Sequence, residues 1–218
     1  MCDNKTKVLL CCEYQMVAIG ISRFLSDYKQ FQVSTPSIPP RELVEQISQT
    51  SFDVLAIDLS LLKKDSLTTL RHIVKTDPAL KILILSRYEK EPFISRCIEM
   101  GATGFISMHC DAIEFIEAIE HVYRGEKYLS KAVAYSFAIE KLNKKDDKLA
   151  SLTAREFEVF SRLAIGFSVK DIAKELCLSS KTIHVYRANI LEKMSVSNAS
   201  ELTLVALKEG MITIDLVE

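Results

Sequence analysis

The chain has little of several features that would assign it to a function class at once. Its longest apolar runs, such as residues 81–86, have the length of a strand and are far shorter than a membrane span. Residues 1–20 lack the basic start and the apolar stretch of a signal peptide. The six glycines form no phosphate-cradling loop, and 28 Lys+Arg against 29 Asp+Glu leave no overall basic field. These absences argue against a membrane protein, a secreted scaffold and a nucleotide- or flavin-binding enzyme.

Cysteine is present, but it shows neither disulfide-scaffold nor zinc-site spacing. The six cysteines are at positions 2, 11, 12, 97, 110 and 177, with no C-x-x-C pair. A chain of 218 residues does not need disulfides to hold a core, so reduced thiols and a cytoplasmic location are expected. For Cys11 and Cys12, inert packing at a strand end is favoured over oxidant sensing. No catalytic constellation is found, and the prediction is a protein that is not an enzyme.

The first 125 residues alternate apolar runs with amphipathic segments of helical period. The runs are residues 7–12, 31–35, 54–58, 81–86 and 104–108. Five repeats of strand and helix imply right-handed crossovers and a parallel sheet covered on both faces. The sequence therefore predicts an α/β fold over residues 1–125, with a doubly wound, five-stranded parallel sheet.

The alternation stops after Gly125. Residues 126–148 end in a charged run and are predicted to be a partly helical linker. Residues 149–218 then show four helical patterns, which fill roughly residues 153–165, 169–176, 180–194 and 199–210. Each pattern has a cap residue near its start: Thr153, Ser168, Ser179 or Asn198. Because only residues 177–179 separate the second helix from the third, this all-α domain is predicted to contain a helix-turn-helix.

The third of these helices carries a polar face that suits a DNA groove. Lys181, His184, Val185 and Ala188 lie opposite the apolar positions of the helix, and their side chains are short or polar. Residues 179–193 contain three basic residues and one acidic residue, although residues 149–218 contain eight basic and nine acidic ones. The pattern alone leaves a solvated helix face as an equal alternative.

The same domain resembles a known family. The segments that carry the resemblance are Leu152-Thr-Ala-Arg-Glu156, Gly166-Phe-Ser-Val-Lys-Asp-Ile-Ala-Lys-Glu-Leu176, Leu178-Ser-Ser-Lys-Thr-Ile183 and Ile190-Leu-Glu-Lys-Met194. They resemble the DNA-binding domain of the LuxR class, and the whole chain resembles a NarL/FixJ-type response regulator of the GacA/UvrY branch. The resemblance implies a CheY- or flavodoxin-like receiver, followed by a four-helix domain that binds double-stranded DNA and regulates transcription.

The resemblance also implies roles for single residues. It places base contacts at His184, Val185 and Ala188, and phosphate contacts near Lys181, Thr182 and Lys193; we add Arg187 to this surface. The last helix is apolar on more than one face, at Leu202, Val205 and Leu207 among others. Ordinary core packing is one explanation, and a homodimer interface that pairs two reading helices is the other.

In the first domain the resemblance implies a phospho-acceptor site at the carboxyl ends of the strands. Asp58 takes the acceptor position, Glu13 and Asp58 would hold Mg²⁺ weakly, and Ser86 and Phe105 take the switch positions. Several positions depart from the family pattern, among them Leu62, where proline is usual, and Ser66, where glycine is usual. Cys12 replaces an acidic metal ligand, and Met108 replaces the lysine that pairs with the phosphoryl group. The expectation is an atypical receiver in which phosphorylation of Asp58 by a sensor histidine kinase is weak or absent.

One alternative function stays open at this stage. The first domain could dock on another response regulator, as an interaction adaptor or a heterodimerising anti-regulator, while the helical domain blocks DNA reading. The near-neutral charge of residues 149–218 mildly favours this alternative.

Overall fold

The structure is a computed structural model that describes residues 5–36, 40–61, 66–87, 91–142, 148–149, 151–208 and 211. The chain forms two compact units, residues 1–139 and 140–218. Part of the predicted linker, residues 143–147, lies outside the described residues. The predicted bounds at residues 125, 148 and 149 stay predictions. Within the described residues, no helix is both long and apolar enough to cross a membrane.

The first unit contains one parallel sheet in the order β2-β1-β3-β4-β5-β6. Its strands are β1 (Thr6–Cys11), β2 (Phe31–Ser34), β3 (Val54–Asp58), β4 (Lys81–Ser86), β5 (Gly104–Ser107) and β6 (Tyr128–Leu129). Its helices are α1 (Gln15–Leu25), α2 (Pro40–Gln49), α3 (Ser66–Thr76), α4 (Glu91–Glu99), α5 (Ala112–Tyr123) and α6 (Lys131–Leu142). The predicted doubly wound α/β fold is confirmed.

The interior of the sheet follows from the apolar runs. Every residue of β3 is buried, and so are five of the six residues of β4, as a parallel sheet covered on both faces requires. One core cluster combines Leu10 of β1 and Leu85 of β4 with Ala18 of α1 and Ile119 of α5. Helices α1 and α5 therefore cover the same face of the sheet.

The predicted number of strands was wrong. A sixth strand, β6, continues the sheet beyond β5 and pairs with it in parallel through Gly104 and Tyr128. Two residues are too few to show an alternating pattern, so the sequence placed them in the linker. Ser130, which follows β6, is fully buried, and its hydroxyl accepts a hydrogen bond from the backbone N–H of Ser107 at 3.1 Å.

The second unit is the predicted all-α domain. Its helices are α7 (Ala154–Ala164), α8 (Val169–Glu175), α9 (Ser180–Met194) and α10 (Ala199–Lys208). The predicted caps are confirmed: the side chains of Thr153, Ser168, Ser179 and Asn198 each accept a backbone N–H of the first turn. In the turn between α8 and α9, Cys177 has a φ of 54°, which is in the left-handed region.

Candidate phospho-acceptor site and nucleic-acid interface

Two residues of the predicted acceptor site lie at the carboxyl ends of neighbouring strands. Asp58 is the last residue of β3 and Ser86 the last of β4, and each is 4% exposed. Because β3 and β4 pair in parallel, with Asp58 in register with Leu85, both side chains lie at the carboxyl edge of the sheet. This edge lies beside the point where the strand order reverses, which is the usual ligand position in open α/β sheets.

The carboxylate of Asp58 is bound by three donors of the chain itself. Its Oδ1 accepts the backbone N–H of Ser60 at 2.9 Å and the hydroxyl of Ser60 at 2.5 Å. Its Oδ2 accepts the backbone N–H of Glu13 at 3.5 Å. These bonds tie the loops that follow β1 and β3 together through one side chain, and they occupy oxygen lone pairs that a metal or a phosphoryl group would need.

Cys12 brings a neutral thiol to this site. Burial, and next to it the negative charge of Asp58, raises the pKa of Cys12 to about 12. At neutral pH the sulfur therefore keeps its proton, and it is a soft group where Mg²⁺ prefers charged oxygens. In the part of the chain that the structure describes, no three His, Cys, Asp or Glu side chains form a group that could hold a metal ion. Cys12 therefore offers Mg²⁺ a poor ligand at this position.

Phe105 lies within β5, and Met108 directly follows this strand. The backbone N–H of Met108 donates to the carbonyl of Ser86 at 2.8 Å, and the Met108 side chain packs partly against the core cluster. This position therefore supplies apolar surface and no cation. Phe105 is fully buried and meets Phe93 of α4 edge-on, with ring centroids 6.4 Å apart. In this conformation the predicted switch aromatic points into the protein.

Helix α9 separates a buried face from an exposed one. Ile183, Ile190 and Met194 are buried and hold the helix against the domain core. The residues predicted to read bases or contact phosphate on the other face, Lys181, His184, Val185 and Ala188, are all exposed. Val185 is 55% exposed. The structure thus brings four of the seven predicted contact residues to one open surface.

The other three predicted contact residues have different surroundings. Thr182 is half-buried, and its backbone N–H donates to the capping hydroxyl of Ser179 at 3.0 Å. Arg187 is half-buried, and its Nε is buried without a hydrogen-bond partner. The ammonium of Lys193 lies 2.7 Å from Oε2 of Glu156 and 3.1 Å from the carbonyl of Ser151. Lys193 therefore ties the end of α9 to the start of α7, and it does not lie free on the predicted DNA-binding surface.

Comparisons with known proteins agree on both units. Residues 8–120 match the response regulator receiver domain, and residues 150–206 match the bacterial regulatory proteins of the luxR family. The chain belongs to the response regulators. Response regulator GacA of Pseudomonas aeruginosa is 29% identical over 208 residues, which cover 94% of this chain and 97% of that protein. Response regulator UvrY of Escherichia coli K12 is 28% identical over 206 residues, which cover 94% of each chain.

Solved structures share the fold of this response regulator. RcsB from Salmonella enterica serovar Typhimurium, in a structure bound to promoter P1flhDC with the phosphomimetic BeF3-, gives a TM-score of 0.72 at 22% identity. That match covers 94% of this chain and 98% of the RcsB chain. The predicted order of a receiver followed by a LuxR-type helical domain is thereby confirmed.

In the luxR-type unit of this response regulator, the three residues predicted at the dimer contact differ in burial. Leu202 of α10 is fully buried within the chain, because α10 packs on α7, so it has no surface to offer a second copy. Val205 and Leu207 are half-buried, and Leu204, which lies between them, is 56% exposed. The outward apolar surface of α10 therefore centres on Leu204. The sequence shows that Leu202 and Leu204 lie on different sides of the helix. It does not show which of these sides the neighbouring helix covers.

Two further cations of this unit are exposed near the turn, and they were not among the predicted contact residues. Lys170 and Lys174 are exposed on α8, the helix that precedes the turn. In helix-turn-helix proteins this first helix crosses the DNA backbone, where lysines contact phosphates. The spacing of four residues placed both on one face of α8, and that signal was available in the sequence.

Proposed function

We propose that this response regulator is a sequence-specific DNA-binding protein that regulates transcription and acts as a homodimer on double-stranded DNA. The observation that carries the proposal is the exposed face of α9, which follows a tight turn and combines one cation with three short side chains. A helix of this kind can enter the major groove closely enough for side chains to meet base edges. The RcsB structures bound to promoter DNA support the same use of a similar fold.

The contacts that we propose divide into two groups. His184, Val185 and Ala188 meet base edges, because they are exposed along one face of α9. Lys181 and Arg187 meet phosphates, and Thr182 adds a neutral donor. Lys193 is left out, because it is already paired with Glu156.

Pairing of two copies through α10 completes this proposal. One helix-turn-helix reads a short half-site, and a dimer places two reading helices about one helical turn of DNA apart. Leu204, Val205 and Leu207 would form the contact between the copies.

The test is selection of binding sites from a pool of random duplexes, followed by titration of the selected duplex and a scrambled one. Lys181→Ala should weaken binding to both duplexes by a similar factor, because a phosphate contact does not depend on sequence. His184→Ala and Val185→Ala should change the selected sequence itself. Lys29→Ala, at an exposed position in the first unit, is the control and should change neither property. Equal losses from all three α9 variants would place the reading face elsewhere.

We further propose that phosphorylation of Asp58 is weak or absent. The supporting observation is the chemistry of its neighbours: a protonated thiol at Cys12, an apolar side chain at Met108, and a carboxylate bonded three times within the chain. Loss of one well-placed charged group of this kind commonly costs a few kcal/mol of transition-state stabilisation. A sensor histidine kinase would then control this regulator little, and partner proteins or abundance would control it instead.

Intact-mass spectrometry after incubation with acetyl phosphate and Mg²⁺ tests this point. The wild-type chain should gain little or no phosphoryl adduct. Cys12→Asp combined with Met108→Lys should gain one, because the pair restores a carboxylate and a cation at the site. Adding Asp58→Ala to that pair should abolish the adduct and is the control. A full adduct on the wild-type chain that Asp58→Ala removes would refute the proposal.

The interaction-adaptor function remains the second candidate. The observation that favours it is the balance of eight basic and nine acidic residues over 149–218, which gives that domain no general attraction to DNA. The selection experiment separates the two functions. An adaptor would enrich no sequence, whereas a reader of DNA would enrich one and lose affinity as salt rises.

A further inference from the structure

His184 is the only histidine of the helical unit. The other three histidines of the chain are His72, His109 and His121, which belong to the first unit. Histidine is the side chain whose charge ordinarily changes between pH 5 and 8, whereas a lysine or an arginine keeps its charge throughout that range. Of the residues that we propose to contact DNA, His184 is therefore the one that can gain or lose a proton near neutral pH.

The imidazole of His184 is open to a ligand. His184 is exposed on α9, next to the exposed Val185 and one turn before the exposed Ala188. It follows Lys181 by three residues, so these two side chains are neighbours on the helix surface. Within the described residues, the imidazole forms no hydrogen bond and no ion pair with the chain. No contact of the described unit therefore holds the ring in one protonation state.

The charged and titratable groups around His184 lie on α9 and on the two helices that pack against it, α7 and α8. They are Lys181, Tyr186, Arg187, Glu192 and Lys193 on α9, Arg155, Glu156, Glu158 and Arg162 on α7, and Lys170, Asp171, Lys174 and Glu175 on α8. The glutamates of α7 and α8 are already bound by basic residues, with N–O distances of 2.7–3.0 Å, in the pairs Glu156 with Lys193, Glu158 with Arg155 and Glu175 with Arg162. Asp171 accepts the hydroxyl of Ser168, and Glu192 lies about 12 Å of helix beyond His184. Within the described residues, no carboxylate pairs with the imidazole, so the chain itself gives a protonated His184 no anionic partner.

DNA supplies the anionic partner and the acceptors that the chain does not. A negative charge close to a histidine favours its protonated form, and phosphates line both sides of the major groove. The protonated imidazole has two N–H donors, whereas the neutral ring has one donor and one acceptor. Guanine presents two acceptors in the major groove, N7 and O6, and no donor beside them. A protonated His184 therefore matches the edge of guanine better than a neutral one does.

We propose that His184 takes up a proton when this unit binds DNA and that, in its protonated form, it reads a guanine. The inference rests on the proposed reading of DNA by α9. Because the bound state holds more protons than the free state, the affinity rises as the pH falls, and this gain is lost once the pH is too high for the bound ring to keep its proton. Uptake of one full proton changes the association constant by about tenfold per pH unit for one copy, and by up to about a hundredfold for a pair.

Titration of the full chain with the selected duplex at about pH 6, 7 and 8, at one ionic strength, tests the proposal. The wild-type chain should bind at least about tenfold more tightly at the lowest pH than at the highest. His184→Asn, which keeps a polar side chain but does not titrate, should flatten this dependence, and so should His184→Lys, which carries a fixed charge. His72→Asn is the matched control: His72 is exposed on α3 in the first unit, and its loss should leave the pH dependence unchanged.

Two further readouts separate base reading from a general effect of charge. Calorimetry in two buffers of different ionisation enthalpy counts the protons that binding takes up, and His184→Asn should lose this uptake while His72→Asn keeps it. Selection from random duplexes at low and at high pH should enrich guanine at one position of the half-site at low pH only. In His184→Asn that position should change to adenine at both pH values, because asparagine pairs with the N6 and N7 edge of adenine. A histidine that only supported the fold would change neither readout.

Three results would overturn the inference: equal affinity of the wild-type chain at low and high pH, an unchanged pH dependence in His184→Asn, or the same selected sequence at both pH values. Each of these results would leave the proposed reading of DNA by α9 standing, because a sequence would still have been selected. A pool that enriches no sequence at any pH would instead overturn the proposed function and this inference together.

Discussion

Two residues of the second unit hold the backbone in the left-handed region without being glycine. Cys177 has a φ of 54° in the turn before α9, and Ser195 has a φ of 55° at the end of α9. A side chain with a Cβ costs about 1 kcal/mol in this region, and glycine avoids that cost. Cys177→Gly and Ser195→Gly should therefore each raise the free energy of unfolding by about 0.5–1 kcal/mol. Urea denaturation measures it. Cys177→Val should lower the free energy of unfolding. An increase in this variant would contradict the left-handed conformation of residue 177.

The cysteines differ in their expected reactivity because they differ in burial. Burial raises the pKa of Cys11 and of Cys12 to about 12, from an ordinary value of 9.0, whereas Cys177 is exposed. Only the thiolate attacks an alkylating agent, so at pH 8 Cys11 and Cys12 offer far less of the reactive form than a thiol with the ordinary pKa. Iodoacetamide should label Cys177 first and leave Cys11 and Cys12 unmodified until the protein unfolds. Peptide mass spectrometry against time measures this order, and fast labelling of Cys12 in the folded chain would revive an oxidant-sensing role.

At the scale of one element, we expect the start of α9 to bind DNA and its end to stabilise the domain. The first turns carry the exposed Lys181, whereas Lys193 in the last turn binds Glu156 at 2.7 Å, a carboxylate that is only 5% exposed. Lys193→Met removes the partner of a buried charge and should destabilise the domain by about 1–3 kcal/mol. Lys181→Ala should leave stability unchanged and weaken DNA binding. Thermal unfolding and DNA titration of both variants check this division. If Lys193→Met lost as much DNA binding as Lys181→Ala and kept its stability, Lys193 would belong to the DNA contacts.

The same pair predicts a dependence on pH. Burial alone would raise the pKa of Glu156, but hydrogen bonds from Lys193 and Thr153 outweigh burial and hold that pKa below its ordinary value. A carboxyl group with a lowered folded-state pKa stabilises the fold above its unfolded-state pKa, and this stabilisation is lost as the pH falls through the folded-state pKa. The stability difference between wild type and Lys193→Met should therefore be full at pH 7 and shrink below about pH 4. A difference that stays constant down to pH 3 would show that packing, and not charge, holds α9 to α7.

The elements also show which features a sequence can predict. The caps Thr153, Ser168 and Ser179 were predictable, because a cap depends on residues within one turn of it. The central strands were predictable because burial on both faces leaves no polar position. β6 was missed because its pairing with β5 is made over two residues and depends on a tertiary neighbour. The burial of Leu202 and the pairing of Lys193 were missed for the same reason, since both depend on how α7 packs against α10 and α9.

At the scale of the whole molecule, the receiver unit and the helical unit differ in how closely they follow the residue pattern of the family. The receiver places Asp58 and Ser86 at the edge of the sheet, and it has Cys12 and Met108 at the two positions where the resemblance led us to expect charged groups. The helical unit keeps its caps, its core and an open face on α9. Stability and fold depend on the apolar core, which these replacements leave intact.

The net charge of −1 determines how the whole chain should respond to salt. Because the chain has no general basic field, only cations that contact phosphates release counterions. Each such contact lowers the slope of log association constant against log salt concentration by about 0.9. Lys181 and Arg187 in two protomers make four contacts and predict a slope of about −3.6, whereas Lys170 and Lys174 would bring it to about −7. Fluorescence anisotropy on the selected duplex from about 50 to 200 mM salt measures the slope. Lys181→Ala should make it shallower by about 2 in the dimer and by about 1 in a monomer, so the same titration also reports how many copies bind. An unchanged slope in that variant would remove Lys181 from the phosphate contacts.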